Sequence, residues 1–199
     1  IEGLMSASSL VSVLTTLGII IVLAVDSFKF FSEVSIIDFL TDKEWTPLFE
    51  NKHFGILPLL SGTLLTTIIA SLVAIPLGIT IAVYLSEYAS KRFTAIVKPI
   101  LEVLAAIPTV VYGFFALQYV TPLLQKIIPG LSGFNALSPG IVMGIMIMPY
   151  ITSLSEDALR AIPNSLREGS YGMGANRFQT AFKVMIPAAS SGIIVSVIL

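Results

Sequence analysis

Along this chain, apolar runs of membrane length alternate with short polar stretches. A hydrocarbon core of about 30 Å needs roughly 20 apolar residues in a helix. Five stretches meet or approach that length. The first is Leu4 to Val25, with no charged residue; it exceeds the apolar region of a signal peptide and lacks a small-residue cleavage site. Phe54 to Ser61 reads as a lead-in to the second, Gly62 to Leu85, which Pro76 is expected to bend. The third runs from Pro99 to about Tyr119 and the fourth from about Pro139 to Leu154. The fifth opens at Pro187 and is interrupted by the end of the chain at Leu199, so both ends are expected to be cut short. No internal repeat of fixed period and no low-complexity tract appears.

Between the fourth and fifth runs lies a polar, charged and strongly patterned segment, PNSLREGSYGMGANRFQTAFKVMIP, from Pro163 to Pro187. Ser165 with Glu168 three residues on fits the reciprocal cap that opens a helix. Gly172 and Gly174 then weaken that helix and supply the left-handed residue that closes one. Asn176 followed by Gln179 repeats the opening signal. Phe178, Phe182 and Met185 fall at i, i+4 and i+7, so a second short helix gathers them on one side. Pro187 resets the chain before the next apolar run.

Composition fixes the class independently. With 55% hydrophobic and 12% charged residues, and a mean hydropathy of +0.94, the chain is far less charged than soluble domains, where roughly a quarter of residues are charged. The pattern is that of an all-α polytopic membrane protein. The formal charge of −1 carries no information on partners, because in this class the distribution of charge matters. The absence of cysteine removes disulfides, thiolate metal sites and thiol nucleophiles from the stretch. Lys91, Arg92, Lys98, Arg160, Arg167, Arg177 and Lys183, seven of the eleven basic residues, fall after the second and fourth spans. The opposite side keeps Lys29, Lys43, Lys52 and Lys126. The positive-inside rule therefore puts the 163–187 loop in the cytoplasm.

The segment from Asp26 to His53 then lies outside, where six acids against three lysines leave a net −3. Its Trp45 and phenylalanines read as an interfacial aromatic belt, or as part of a docking face for a soluble binding protein.

Candidate chemistry within the spans is sparse. Glu102 is an ionisable group in a span, which makes it a functional candidate. It reads either as a gating partner for a basic group or as a carboxylate favoured by the helix dipole in a first turn that begins at Pro99. Thr63, Thr66, Thr67, Thr109 and Tyr112 are candidate hydroxyl donors along a pathway, though hydroxyls in helices commonly bond their own backbone. No lysine or arginine lies within the apolar runs, whereas a dehydrated oxyanion calls for such donors. Pro108 beside Thr109 and Tyr112 could mark a broken helix of the kind that lines transport pathways. An intramembrane enzyme would need a nucleophile–base pair or a metal cluster at membrane depth, yet the one histidine, His53, lies outside the spans. No Gly-x-x-x-x-Gly-Lys-Ser/Thr loop occurs to hold a nucleotide, so energy for any pumping must come from another chain. A secondary transporter or channel is the rival that needs none.

The order helix, glycine turn, helix, proline is similar to the coupling segment of ABC-transporter permeases. Glu168-Gly169-Ser170, Gly174 and Val184-Met185-Ile186-Pro187 keep the spacing of that pattern, with Gly169 and Ser170 where alanine is usual. From about Leu4 onward the chain also resembles PstC-type permeases of phosphate ABC importers, in WTPLFENKHFGILPLLSGTLLTTIIASLVAIPLG, YLSEYAS and AAIPTVVYGFFAL. The resemblance implies a MetI-like helical bundle of the type I importer class, with six spans of which about five fall here. It divides the chain into 1–53, a helix with an exterior segment, and 54–199, a permease core with a coupling loop at 160–187. It implies a subunit of the cytoplasmic membrane that moves inorganic phosphate by alternating access. The partners implied are a dimer of ATP-binding subunits, a second homologous permease and an exterior phosphate-binding protein, with lipid around them. No cofactor, metal or nucleic acid is expected. ATPase coupling would fall to Ser165, Glu168, Gly174, Ala175, Arg177, Phe178, Phe182 and Pro187, and the substrate pathway to Glu102, Thr109, Tyr112 and Thr66. A companion permease, or an importer of sulfate or molybdate, is the nearest alternative.

Overall fold

The computed structural model describes residues 2–199, and among them regular structure is helical, apart from one isolated antiparallel bridge between Trp45 and Phe54. The chain forms two compact units, Ile1–Gly62 and Thr63–Leu199.

The first unit opens with α1, Glu2–Glu33, followed by the short α2, Ile36–Thr41. The polar segment after it is tied together by its aromatic rings. Phe30 and Phe31 meet Phe39 edge-on at ring separations of 5.8 and 5.3 Å, and Phe54 packs against Phe30 at 5.5 Å and Trp45 at 6.1 Å. Edge-to-face packing of this kind adds to simple burial. Backbone bonds from Gly55 to Glu44 and from Thr46 to His53 hold the loop closed, and His53 Nδ1 lies 2.7 Å from Asp42 Oδ2.

α3, Leu57–Val83, leads into the second unit and runs on through a π-helical turn, Tyr84–Tyr88. Pro76 lies inside it without ending it, so the expected bend does not interrupt the helix. The long partner helix α7, Leu137–Arg160, likewise contains Pro149 without a break. The two meet through small residues. Ala70, Ala74, Gly78 and Ala82 form a buried stripe at four-residue spacing on α3, the arrangement that lets membrane helices approach closely. A Cβ placed on Gly144 would lie 2.7 Å from Val73 Cβ and 2.8 Å from the Ala70 carbonyl oxygen, so only glycine fits there. Thr152 donates across the seam to the Gly78 carbonyl at 3.2 Å.

The third apolar run is not one straight span. α4, Lys91–Ala105, and α5, Thr109–Phe115, are set at 83° to each other, while α5 continues through a π turn at Ala116–Val120 into α6, Thr121–Ile127. Pro108 causes the break: its fixed φ and missing N–H end α4 and displace the preceding residue from helical geometry. Tyr112 donates its hydroxyl to the Leu104 carbonyl at 2.9 Å, and Tyr150 to that of Ala105 at 3.0 Å. The bend thus costs few unsatisfied groups.

After α7 come α8, Asn164–Gly172, and α9, Arg177–Thr180, then a π turn at Ala181–Met185, α10, Ile186–Ala188, and α11, Ser190–Ile198. The helix from Arg177 passes through Pro187 and bends by 68° between Ala188 and Ser190, so the fifth run does not open at Pro187 as expected. Pro122 and Pro187 each follow a π turn, and the carbonyl four residues before each, where the ring would clash, lies within that wider turn. Among the described residues, three helices are long and apolar enough to cross a membrane, Met5–Glu33, Leu57–Tyr88 and Leu137–Arg160, and five if each bent pair counts as one.

Candidate coupling site

The segment from Pro163 to Pro187 is built as helix, glycine turn, helix, but not with both expected caps. Pro163 itself occupies the N-cap of α8, with φ −56 and ψ 137, and no side chain caps the helix. Ser165 is therefore already inside α8, two positions past the cap, and the Ser165–Glu168 reciprocal cap does not form. The second cap does. Asn176 Oδ1 accepts from the Gln179 N–H at 2.8 Å, and Gln179 Oε1 accepts from the Asn176 N–H at 3.0 Å.

Gly174, at φ +86, makes the turn between them. An added Cβ would meet nothing within 4 Å, so the requirement there is one of backbone conformation rather than space. The Gly174 N–H donates to Tyr171 and that of Ala175 to Ser170, closing α8 with its last carbonyls satisfied. Ser170 and Thr180 then join the two helices through their hydroxyls at 2.9 Å.

The segment has two faces. Phe178 and Phe182 stack with ring centroids 4.5 Å apart and remain 62% and 51% exposed, while Met173 at the turn is 92% exposed. Met185 does not join them. It is fully buried, together with Ala181, among Ala82, Val83, Leu159, Ala189 and Ile193 from the ends of α3, α7 and the start of α11. The π turn at Ala181–Met185 explains the difference, since its wider winding rotates Met185 away from the phenylalanine face. Arg177, Glu168 and Ala175 lie on the loop with Glu168 and Arg177 exposed.

Two charge clusters at the base of this segment escaped the sequence reading. Arg167 Nη2 lies 2.8 Å from Glu87 Oε1, with Nε 3.2 Å from both carboxylate oxygens, and the pair is largely buried. The same guanidinium donates to the carbonyls of Leu159 at 2.9 Å and Ile162 at 3.1 Å and to Asn164 Oδ1. On the neighbouring helix, Lys98 Nζ lies 2.5 Å from Glu156 and hydrogen-bonds Asp157, while Arg160 closes on Glu156 from the other side. Glu156 has no exposed side chain. Neither of its oxygens finds a well-aligned hydrogen-bond donor, so it is held by the two cations. The available signals were a charge at the end of an apolar run, as Glu87 is in YLSEYAS, and the four-residue spacing of Glu156 and Arg160; Arg167 and Lys98 lie 80 and about 60 positions from their partners, and spacing does not reveal them.

The candidate pathway residues each have surroundings of their own. Glu102 lies in the last turn of α4, not the first, where the helix dipole disfavours a carboxylate; the dipole explanation for it is therefore incorrect. It is exposed beside a cleft of about 300 Å³ lined by Ala105, Pro149, Tyr150 and Ser153. Tyr112 is engaged with the Leu104 carbonyl, Thr109 starts α5 exposed, and Thr66 donates to Thr63 within α3. Among the described residues no group of three or more histidine and carboxylate side chains is placed to hold a metal.

Residues 74–199 match the family described as the binding-protein-dependent transport system inner membrane component. The chain is 38% identical to the probable ABC transporter permease protein YqgH of Bacillus subtilis over 198 residues, covering 98% of this chain and 64% of that protein. It is 35% identical to the phosphate transport system permease protein PstC of Mesorhizobium japonicum over 81% of this chain and 54% of that one. For the probable PstC of Methanocaldococcus jannaschii the identity is 33%, over 72% and 51%. The chain thus spans between about half and two-thirds of these relatives' lengths. A solved structure of the MetNI methionine ABC transporter in inward-facing conformations superposes with a TM-score of 0.53 at 22% identity, over 72% of this chain and 64% of that one, a likeness of fold.

Proposed function

Because the chain belongs to the binding-protein-dependent transport system inner membrane component family, we propose that it acts as the membrane-spanning permease subunit of an ATP-driven phosphate importer of the cytoplasmic membrane. The relatives named as phosphate permeases support the substrate. The observation that carries the mechanism is the two-faced segment 163–187. Its inner face, Ala181 and Met185, is packed into the ends of three membrane helices, while its outer face presents the stacked Phe178 and Phe182. An exposed aromatic pair on a short helix suits a groove on a partner. A separate ATPase subunit in the cytoplasm would take that face, and its closure on ATP would drive the segment as a lever against α3, α7 and α11. Gly174 gives the turn its shape. Glu168, Ser165 and Arg177 are exposed on the segment and Ala175 is half-buried, within reach of such a partner, and Pro187 carries the helix on to the bend. Outward and inward access would then alternate around a path shared with a companion permease, supplied by an exterior phosphate-binding protein. Glu102, Thr109, Tyr112 and Thr66 are the pathway candidates of this chain.

The test is uptake by the full-length chain reconstituted with its companion permease, ATPase subunits and binding protein. Labelled phosphate should enter vesicles only with ATP and the binding protein present. Uptake independent of ATP, or a preference for sulfate or molybdate, would overturn the assignment.

A further inference from the structure

A lever must be fixed to what it moves, and the helix that presents Glu168 is short, exposed on its outer side and not capped by any side chain. Besides the Ser170–Thr180 hydroxyl bond to α9, its polar attachment to the ends of α3 and α7 runs through Arg167. Arg167 points inward from α8 and engages four places at once: the Glu87 carboxylate in the π turn that ends α3, the Leu159 carbonyl in the last turn of α7, the Ile162 carbonyl in the link, and the Asn164 side chain at the start of α8. The last carbonyls of a helix have no partner within it, so Arg167 both caps α7 and joins it to α3. Only a planar guanidinium can reach a carboxylate with two N–H groups while spending others on carbonyls; a lysine ammonium presents a point charge without that fork. Glu87 is 4% exposed and Arg167 16%, and a charge pair so far removed from water is strongly disfavoured when one member is lost.

Resting on the coupling role proposed above, we infer that the Glu87–Arg167 pair is the positioning contact that makes the 163–187 segment move together with α3 and α7, so that ATP turnover in the partner becomes transport. Neither side chain touches substrate or nucleotide. Their role is to prevent the segment from pivoting alone about the link at Ala161–Pro163. Two features set this contact apart from general packing. It is directional, because the fork admits one orientation of α8, and it joins the ends of the two helices whose small-residue seam forms the centre of the unit. The hydrophobic contacts of Met185 and Ala181 give adhesion without fixing that orientation.

The experiment compares Glu87→Gln and Arg167→Lys with the wild-type assembly in vesicles, reading three quantities: ATPase subunit recovered with the permease, ATP hydrolysed, and phosphate taken up per ATP. A contact of this kind sets an expected drop of about tenfold in phosphate per ATP for both variants, with subunit recovery and hydrolysis near wild type. Phosphate per ATP within about twofold of wild type would overturn the inference, as would proportional loss of hydrolysis and uptake with the ratio preserved, the signature of a merely structural pair. If either variant fails to assemble, Glu87→Asp, which keeps the charge and shortens its reach, is judged by the same ratio. Absence of ATP-dependent uptake in the wild-type assembly would instead defeat the transport reading itself, so the two failures are separable.

Discussion

At Glu156, a carboxylate with no exposed surface sits between Lys98 and Arg160, and at Glu87 another sits in the fork of Arg167. Each costs desolvation that only its partner offsets. Both lie near helix ends, where the second unit is joined to the segment 163–187. A third ion pair, on the first unit, differs in being open to solvent. The hydrogen bond from His53 holds the Asp42 carboxyl below its ordinary 3.8, assisted by the Glu44 N–H, and the same bond raises the His53 imidazole above its ordinary 6.5. The sign follows: the raised histidine contributes stability below 6.5 that is lost as pH rises through its folded value, and the lowered aspartate contributes above 3.8 and is lost as pH falls through its own. Closure of the 42–55 loop should therefore be firmest between those values. Because His53 is the one histidine, a titration of histidine-labelled protein by NMR should give a single midpoint above 6.5, returning towards it in Asp42→Asn. A midpoint unaffected by that substitution would show the pair to be idle. Of these pairings only Glu156–Arg160, four residues apart on one helix, could be read from spacing, since the others are set by tertiary placement; the Asn176–Gln179 cap and the Gly174 turn could be, because both act within a few residues.

At the scale of elements, what decides the path of the chain is how closely α3 and α7 approach. Gly144 against Val73 and Ala70 is the tightest test of that seam. Gly144→Leu should force the helices apart at a cost of about 1–3 kcal/mol, as overpacking does elsewhere. Gly113→Leu, where a Cβ meets nothing within 4 Å, should leave stability nearly unchanged. Unfolding in mixed micelles with increasing SDS would compare the two, and equal midpoints would contradict the close seam. The proline signals show where a local rule has to be weighed against context. Pro108 breaks its span, and Tyr112 and Tyr150 take up the carbonyls the break frees, whereas Pro76 and Pro149 lie within helices that continue. The apolar runs were legible as spans, but their limits were not. α7 extends past Leu154 to Arg160 because Glu156 is neutralised by cations from α4 and from its own next turn, a compensation invisible to a count of apolar residues. Met185 left the phenylalanine face because a π turn intervenes, and the helical spacing that grouped the three residues assumed an unbroken α-helix.

For the whole molecule, the proposed function has a cytoplasmic segment transmit work done elsewhere to helices in the bilayer. The family was legible from the fixed spacing of Glu168, Gly174 and Pro187 and from the spans around them; the contacts that tie the segment to the membrane helices were not, since they run through Arg167, Glu87 and the buried Met185. The direct test uses the absence of cysteine in the chain. Phe182→Cys supplies one thiol in this chain on the presented face, and short bifunctional crosslinkers can then ask what that face touches in the assembled complex. The account predicts a crosslink to the ATPase subunit that stops ATP-driven phosphate uptake, and no labelling of the thiol by an impermeant maleimide added outside the cell. Labelling from the exterior, or a complex in which the thiol reaches no ATPase subunit, would contradict it.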